Sequence, residues 1–295
     1  MDPAAPATDA ELLNPGLNSC PGCMAALAMR HVLRTMGPNT ILTLTTGCWA
    51  VIDGSFPYTS SKVPLLHGAF GTAASMATGV RAALDILHKD DVQVLAWGGD
   101  GATFDIGMSA LSAAAFRNEN VLYVCYDNEA YMNTGVQRSG ATPPGARTTT
   151  NIEVGLASPR KKNIVEIMAS HGVPFAATAS TGYPDDLIDK VRYAKEIKGF
   201  RFIHIHTPCP TGWWLPPDRV VHVARLAVRA RLHPLYRVID GARYVIDLDP
   251  PPVPVSDYFD EQRRRMHGLS IEDAVTIQSE VDRRWQVLTA RARAC

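Results

Sequence analysis

Long apolar runs are missing from this 295-residue chain. Nothing approaches the ~20 consecutive apolar residues of a membrane-spanning helix. A charge imbalance is missing too: 29 Lys and Arg balance 29 Asp and Glu. That removes the electrostatic case for nucleic acid or an anionic membrane as partner. Residues 1–14 lack the basic and apolar regions of a signal peptide, so a cytoplasmic location is expected. No internal repeat is evident. What remains is an ordinary globular composition, 46% apolar and 20% charged, long enough for one large α/β domain or two small ones. Set against a reducing cytoplasm, six cysteines call for an account.

Short apolar runs alternate with helical periodicity. Strands are expected at residues 41–45, 92–97, 121–126, 175–178 and 201–206. Helices are expected at 24–36, 67–87, 104–117, 163–171, 184–197, 218–232 and 271–292. Gly37-Pro38 stops the first helix, and Ser270 with Asp273 forms a capping-box pattern before the last. The alternation predicts an α/β fold, a mostly parallel sheet with helices on both faces. The first half of 67–87 is nearly all small residues, which permits close packing. Residues 53–66 and 134–162 read as loops, the second long enough to be either functional or disordered.

In outline, residues 1–16 form an N-terminal arm and 17–212 the main domain. Beyond that, a helix carrying Arg219, Arg225, Arg229 and Arg231 and a stiff proline linker at 250–254 change the texture. Residues 213–295 are therefore an extended C-terminal appendage, expected to contact the core or another subunit.

Two stretches carry the chemistry. Gly98-Gly99-Asp100-Gly101 lies between a strand and a helix, and Asp127-Asn128 ends the next strand. Ligands of open α/β sheets sit at the carboxyl ends of strands, so both stretches face one site. Glycines let the backbone approach a phosphate, and a helix N-terminus favours its charge. Asp100 and Asn128 add hard oxygens suited to Mg²⁺ on a diphosphate. Asp-Gly alone marks an ordinary turn; the strand before, the helix after and the Asn beyond give it weight.

The cysteines form the second group. Cys20 and Cys23 have the spacing that lets one turn offer two thiolates, while Cys48 and Cys209 lie at strand ends. Four thiolates suit Zn²⁺ or an iron–sulfur cluster. The third and fourth ligands are isolated in sequence, which favours a cluster over a zinc knuckle pair; unrelated buried thiols are a third reading. Cys125, inside an apolar strand, reads as a core thiol, and Cys295 as an incidental one. His67, His204 and His206 carry no assignment.

These motifs resemble the thiamine-diphosphate-binding β subunits of the 2-oxoacid:ferredoxin oxidoreductases, the group that contains pyruvate synthase. The resemblance covers roughly residues 17–215. It is densest from Gly98 to Gly107 and from Tyr126 to Gly135, and extends through Gln137-Arg138-Ser139, Ala141-Thr142-Pro143, Thr148-Thr149-Thr150 and Cys209-Pro210-Thr211-Gly212-Trp213. It implies that Asp100, Asn128 and the Ala130 carbonyl bind Mg²⁺. It also implies that Thr46, Gly47, Trp49, Gly99, Gly101, Ala102, Met132, Asn133 and Thr134 bind or shape the pocket of thiamine diphosphate, with Asn133 aimed at the substrate. Cys20, Cys23, Cys48 and Cys209 match the ligands of one [4Fe–4S] cluster. Many relatives carry an acid shortly after the second or third cysteine, where this chain has Met24, Ala25, Trp49 and Ala50.

The activity implied is CoA-dependent oxidative decarboxylation of a 2-oxoacid, pyruvate-like or aryl (phenylglyoxylate, for example). Electrons would leave singly through the cluster to ferredoxin or a flavoprotein. The glutamate that activates the cofactor's aminopyrimidine is expected on a partner α subunit, with γ and ferredoxin-like subunits in a dimer of hetero-oligomers. Two other readings compete: a thiamine-diphosphate decarboxylase or synthase with no redox role, and a zinc-stapled scaffold protein.

Overall fold

The computed structural model describes residues 10–55, 57–151 and 160–294. Most of the proposed N-terminal arm, part of the 134–162 loop and Cys295 lie outside them. In chain order the elements are α1 (Met24–Met36), β1 (Thr40–Thr45), α2 (Cys48–Ile52), β2 (Leu65–Gly68), α3 (Ala73–Ile86) and β3 (Gln93–Gly99). One π-helical turn, Ala102–Ile106, precedes α4 (Met108–Phe116) and β4 (Leu122–Asp127). Then follow α5 (Ile164–Ala169), β5 (Phe175–Ser180), α6 (Pro184–Glu196), β6 (Arg201–His206), α7 (Val220–Arg229), β7 (Leu235–Ile239), β8 (Arg243–Leu248), α8 (Val255–Asp260) and α9 (Ile271–Arg293).

One eight-stranded sheet runs β2-β1-β3-β4-β6-β5-β7-β8, its first six strands parallel. Every residue of β4, β5 and β6 is buried, because helices cover both faces; such strands read as continuous rather than alternating apolar runs. One apolar layer gathers Leu33, Trp97, Val124 and Ile203; the other gathers Phe104, Leu111, Met168 and Phe202. A third cluster, with Trp213, Val223, Tyr258 and Val281, lies under α7, α8 and α9.

Three expectations need correction. The helix expected from 67 begins only at Ala73; His67 and Gly68 belong to β2, which pairs with β1 from Leu42↔Leu65 to Thr45↔Gly68. Gly71, at φ +87, turns the chain between strand and helix. The helix expected over 104–117 is a π turn and then α4, joined through Gly107. Strands β7 and β8 were not foreseen, yet they extend the sheet antiparallel from β5. Their turn carries Asp240 and Gly241 at φ +52 and +65, the handedness that suits a hairpin. The capping box of Ser270 and Asp273 is present as expected. Among the described residues no helix is long and apolar enough to cross a membrane.

The topology picks out one crevice. From β1 the chain passes to β2 on one side, and from β3 to β4 on the other, although β1 and β3 are neighbours. The carboxyl ends of β1 and β3 therefore flank a switch point, where open α/β sheets bind ligands.

Candidate active site

A cavity of about 310 Å³ opens at that switch point. Its lining comes from three strand ends: Thr46, Gly47 and Cys48 after β1, Gly99 to Ala102 after β3, and Tyr126, Asn128 and Ala130 to Thr134 at and after β4, with Phe70 across from them. Every pocket residue named from the sequence lies there except Trp49. Its indole is 1% exposed and packs edge-on to Trp97 in the core, ring centroids 6.1 Å apart. Tyr126, Phe70 and Tyr131 were not foreseen as walls. Tyr126 could have been, because it ends a buried strand one residue before Asp127.

Two glycines are required locally. Gly47, at φ +153, lets the chain leave β1 toward Cys48, and a Cβ there would meet the Tyr126 hydroxyl at 3.0 Å. At Gly101 a Cβ would lie 2.5 Å from the Tyr131 ring. The backbone then enters the π turn, an irregularity frequent at functional sites.

The oxygens converge. The Asn128 carboxamide oxygen faces Asp100 Oδ1 at 3.1 Å and the Ala130 carbonyl oxygen at 3.0 Å. Turned over, the amide would donate to both. Octahedral Mg²⁺ holds its oxygens at 2.0–2.1 Å, so neighbouring ligands stand about 3 Å apart. The Asn128 oxygen stands at that spacing from both of the others, which suits such an ion. Asp100 is 1% exposed, and Ser139 donates to its other oxygen at 2.5 Å. Burial, then the Asp127 charge, pushes the Asp100 carboxyl well above the usual range despite that bond. A carboxyl buried this way is neutralised by a proton or offset by a cation.

Behind the loop lies a network of buried charge. Asp127 accepts from His204 at 2.7 Å and pairs with Lys161 at 2.5 Å. Burial works to raise Asp127, but Lys161 and His204 hold it far below the carboxylate range. Glu129 pairs with Lys161 at 3.0 Å and Arg265 at 2.9 Å; burial again opposes, and the two cations hold it low. His206 stacks on His233, and His204 meets His233 edge-on; burial lowers all three, which favours their neutral forms. Cys125 is fully buried in β4, as its strand position implied.

Of the other four described cysteines, Cys48 lines the cavity, and Cys20, Cys23 and Cys209 lie near enough to act on its charge. The Cys23 N–H donates to the Cys20 carbonyl at 3.0 Å, closing the turn that carries both thiols. Cys23 caps α1, where the Ala26 and Ala25 N–H groups face its sulfur; burial nevertheless raises it. Cys209 Sγ accepts from the Gly212 N–H at 3.2 Å, yet burial, Cys23 and Cys20 push this thiol up to about 11. Cys48 is pushed up to about 12 by burial, then by Cys209, Cys23, Asp100 and Cys20. Cys48 thus feels both the thiols and the oxygen cluster. Among the described residues, no three His, Cys, Asp or Glu side chains are grouped to hold a single metal ion.

The chain is a thiamine-diphosphate enzyme domain by its family match. Residues 22–205 match the family described as thiamine pyrophosphate enzyme, C-terminal TPP binding domain. The chain is 46% identical over 276 residues to pyruvate synthase subunit PorB of Methanothermobacter thermautotrophicus, covering 92% of this chain and 95% of that protein. It is 40% identical over 285 residues to ketoisovalerate oxidoreductase subunit VorB of Pyrococcus furiosus, covering 92% and 91%. The solved 2-oxoglutarate:ferredoxin oxidoreductase from Magnetococcus marinus, with 2-oxoglutarate, coenzyme A and succinyl-CoA bound, shares the fold. It aligns at TM-score 0.60 and 22% identity, covering 91% of this chain and 94% of that one. The chain belongs to the thiamine-diphosphate-binding β subunits of the 2-oxoacid:ferredoxin oxidoreductases, and is thus one subunit of an oxidoreductase.

Proposed function

We propose that this subunit serves the CoA-dependent oxidative decarboxylation of a small 2-oxoacid, with electrons leaving singly through a [4Fe–4S] cluster on Cys20, Cys23, Cys48 and Cys209. The observation that carries the reading is that Cys48 and the oxygens of Asp100, Asn128 and Ala130 line one cavity. Asp100, Asn128 and the Ala130 carbonyl would hold Mg²⁺, and Gly99, Gly101 and Ala102 would leave room for the diphosphate. Thiamine diphosphate, when bound, supplies a nucleophilic carbon for the keto group and a sink for the electrons that CO₂ leaves behind. Thr46, Gly47, Met132 and Thr134 wall the cofactor, and Asn133 orients the substrate at the open rim.

Burial, then the neighbouring thiols, raise Cys48 and Cys209, and burial raises Cys23; a positive centre would favour their thiolates. A single zinc ion would draw them to about 3.8 Å apart, from its 2.3 Å bonds in a tetrahedron. The larger span of a [4Fe–4S] cluster also suits ligands that come from separate strand ends. Asp100 is the only carboxylate among the described residues lining the cavity. Committed to the cation, it is unavailable to activate the aminopyrimidine, which supports an acid from a partner α subunit. The full assembly would add γ and ferredoxin-like subunits, be a dimer of hetero-oligomers in the cytoplasm, and pass electrons to ferredoxin or a flavoprotein. Relatives named for pyruvate and for ketoisovalerate make a small aliphatic 2-oxoacid the first substrate to test.

The test is anaerobic purification of the native complex, with iron, sulfide and thiamine assays. Viologen reduction is then measured with pyruvate, 2-oxoisovalerate, 2-oxoglutarate and phenylglyoxylate, with and without CoA. CoA-dependent reduction with one of them is expected; failure of all four overturns the reading. Thiamine diphosphate without iron would mark a non-redox enzyme, and zinc without thiamine diphosphate a scaffold.

A further inference from the structure

Glu129 stands between two of the three oxygen donors, and it is the residue whose backbone is forced. Its φ is +63, a left-handed conformation that a side chain disfavours and that persists only where the surroundings impose it. Here every polar group of the residue is held. Its N–H donates to Asp127 Oδ1 at 2.8 Å, and its carbonyl accepts from Thr142 Oγ1 at 2.7 Å. Its carboxylate takes Lys161 on one oxygen and Arg265 Nη1 on the other, 3.0 and 2.9 Å away.

Arg265 does more than pair. It is 2% exposed, and its guanidinium lies 4.0 Å from the centre of the Trp213 indole, which itself donates to the Asn128 carbonyl at 2.9 Å. The Arg265 carbonyl accepts from the Arg147 N–H at 2.8 Å, tying it to the loop that contains Ser139 and Thr142. Through these contacts one residue from the turn between α8 and α9 clamps the Glu129 carboxylate and packs on the indole that holds the Asn128 carbonyl.

We propose that Arg265 is a positioning residue for the cation site: by clamping Glu129 and Trp213 it holds the Asn128 oxygen and the Ala130 carbonyl at the spacing that Asp100 completes. This assigns a task to the C-terminal appendage and rests on reading Asp100, Asn128 and Ala130 as the cation's ligands. Lys161 alone cannot substitute, because it also serves Asp127.

The experiment uses the full complex, stripped by dialysis and titrated with Mg²⁺ at fixed thiamine diphosphate. Retained cofactor is read by thiochrome fluorescence after gel filtration, below the melting temperature of each variant. Arg265→Met keeps the stem and removes the fork; its Mg²⁺ half-saturation should rise about 10-fold, in the range of lost outer-layer support at metal sites. Arg265→Lys, which keeps a cation for Glu129, should fall between it and wild type. Should Arg265→Met not fold, Glu129→Gln, which keeps the volume and weakens the clamp, should still raise the half-saturation. A wild type that retains thiamine diphosphate while Arg265→Met, or failing that Glu129→Gln, needs no more Mg²⁺ overturns the inference alone; so does a Lys variant no better than Met. A wild type that retains none at any Mg²⁺ overturns the cation reading and this inference with it.

Discussion

The two sides of the crevice are built on opposite principles. On the oxygen side, Asp100 is bonded by Ser139, the Asn128 carbonyl by Trp213 and the Glu129 backbone by Asp127 and Thr142. Those groups are buried, and their positions are fixed by the chain itself. On the sulfur side, Cys20 is exposed and the other three are partly so. The supporting bonds are a few backbone N–H groups, and burial raises Cys48, Cys209 and Cys23. On the proposed reading, the oxygen donors are held in place by the chain itself, whereas the thiols would be organised mainly by the group they bind. Metal binding and folding are coupled where no preformed site exists, so the two sides should respond differently to loss of their ligands.

The largest separation should come from Cys48→Ala. We expect iron content to fall and viologen reduction to drop by at least ~100-fold, as for a lost first ligand. Thiamine diphosphate retention, measured on the same sample, should change only a few-fold, because no oxygen donor is touched. Equal loss of both would mean that the two sides form one cooperative unit.

Asp100→Asn is the converse. Mg²⁺ affinity should fall by about 100-fold, with iron unchanged. Stability should move the other way. A carboxyl raised by burial and by Asp127 penalises the folded state at neutral pH. With its folded pKa above the unfolded value, the cation-free protein binds a proton more tightly when folded, so it gains stability as pH falls from neutrality. The Asn variant should melt higher than the cation-free wild type at pH 7 and lose that gain at lower pH. Thermal melts across pH with and without Mg²⁺ give both numbers.

Ser139→Ala tests the preorganisation itself. It deletes one donor to a buried charge, a bond of about 1.5–3 kcal/mol, so Mg²⁺ affinity should fall by about 10- to 100-fold. An unchanged titration would mean that Asp100 is held by packing rather than by its hydrogen bond.

How much of this could be read from residues alone follows from the range of the forces. Strands β3 and β4 and their glycine and Asp-Asn ends were legible because burial on both faces leaves a continuous apolar run bounded by turn residues. The start of α3 was not: Gly68, Ala69 and Gly71 continue its small-residue texture, and only pairing of Leu65 to Gly68 with β1 makes that stretch a strand. The hairpin of β7 and β8 carried an Asp240-Gly241 signal, obscured by its place in a region that otherwise reads as an appendage. The clamp on Glu129 left no local mark, since Arg265 is 136 residues away.

Trp49 marks where resemblance and geometry part, and it gives the smallest predicted effect. Its neighbour Cys48 lines the cavity, but the indole turns inward onto Trp97, which in turn stacks on Tyr126 at 5.7 Å. The indole thus meets the pocket wall through Trp97, while the Trp49 backbone N–H faces the Tyr126 hydroxyl. Its buried indole N–H has no partner among the described groups. Trp49→Phe removes that unsatisfied donor, a gain of about 1–3 kcal/mol, and leaves a small cavity whose cost is of similar size. The melting temperature should shift by only a few degrees, while Mg²⁺ half-saturation and iron content stay within about twofold, a difference of under 1 kcal/mol. A larger change in iron would place Trp49 with the sulfur side, acting through the backbone it shares with Cys48; a larger change in Mg²⁺ would show that the ring stack carries strain to Tyr126.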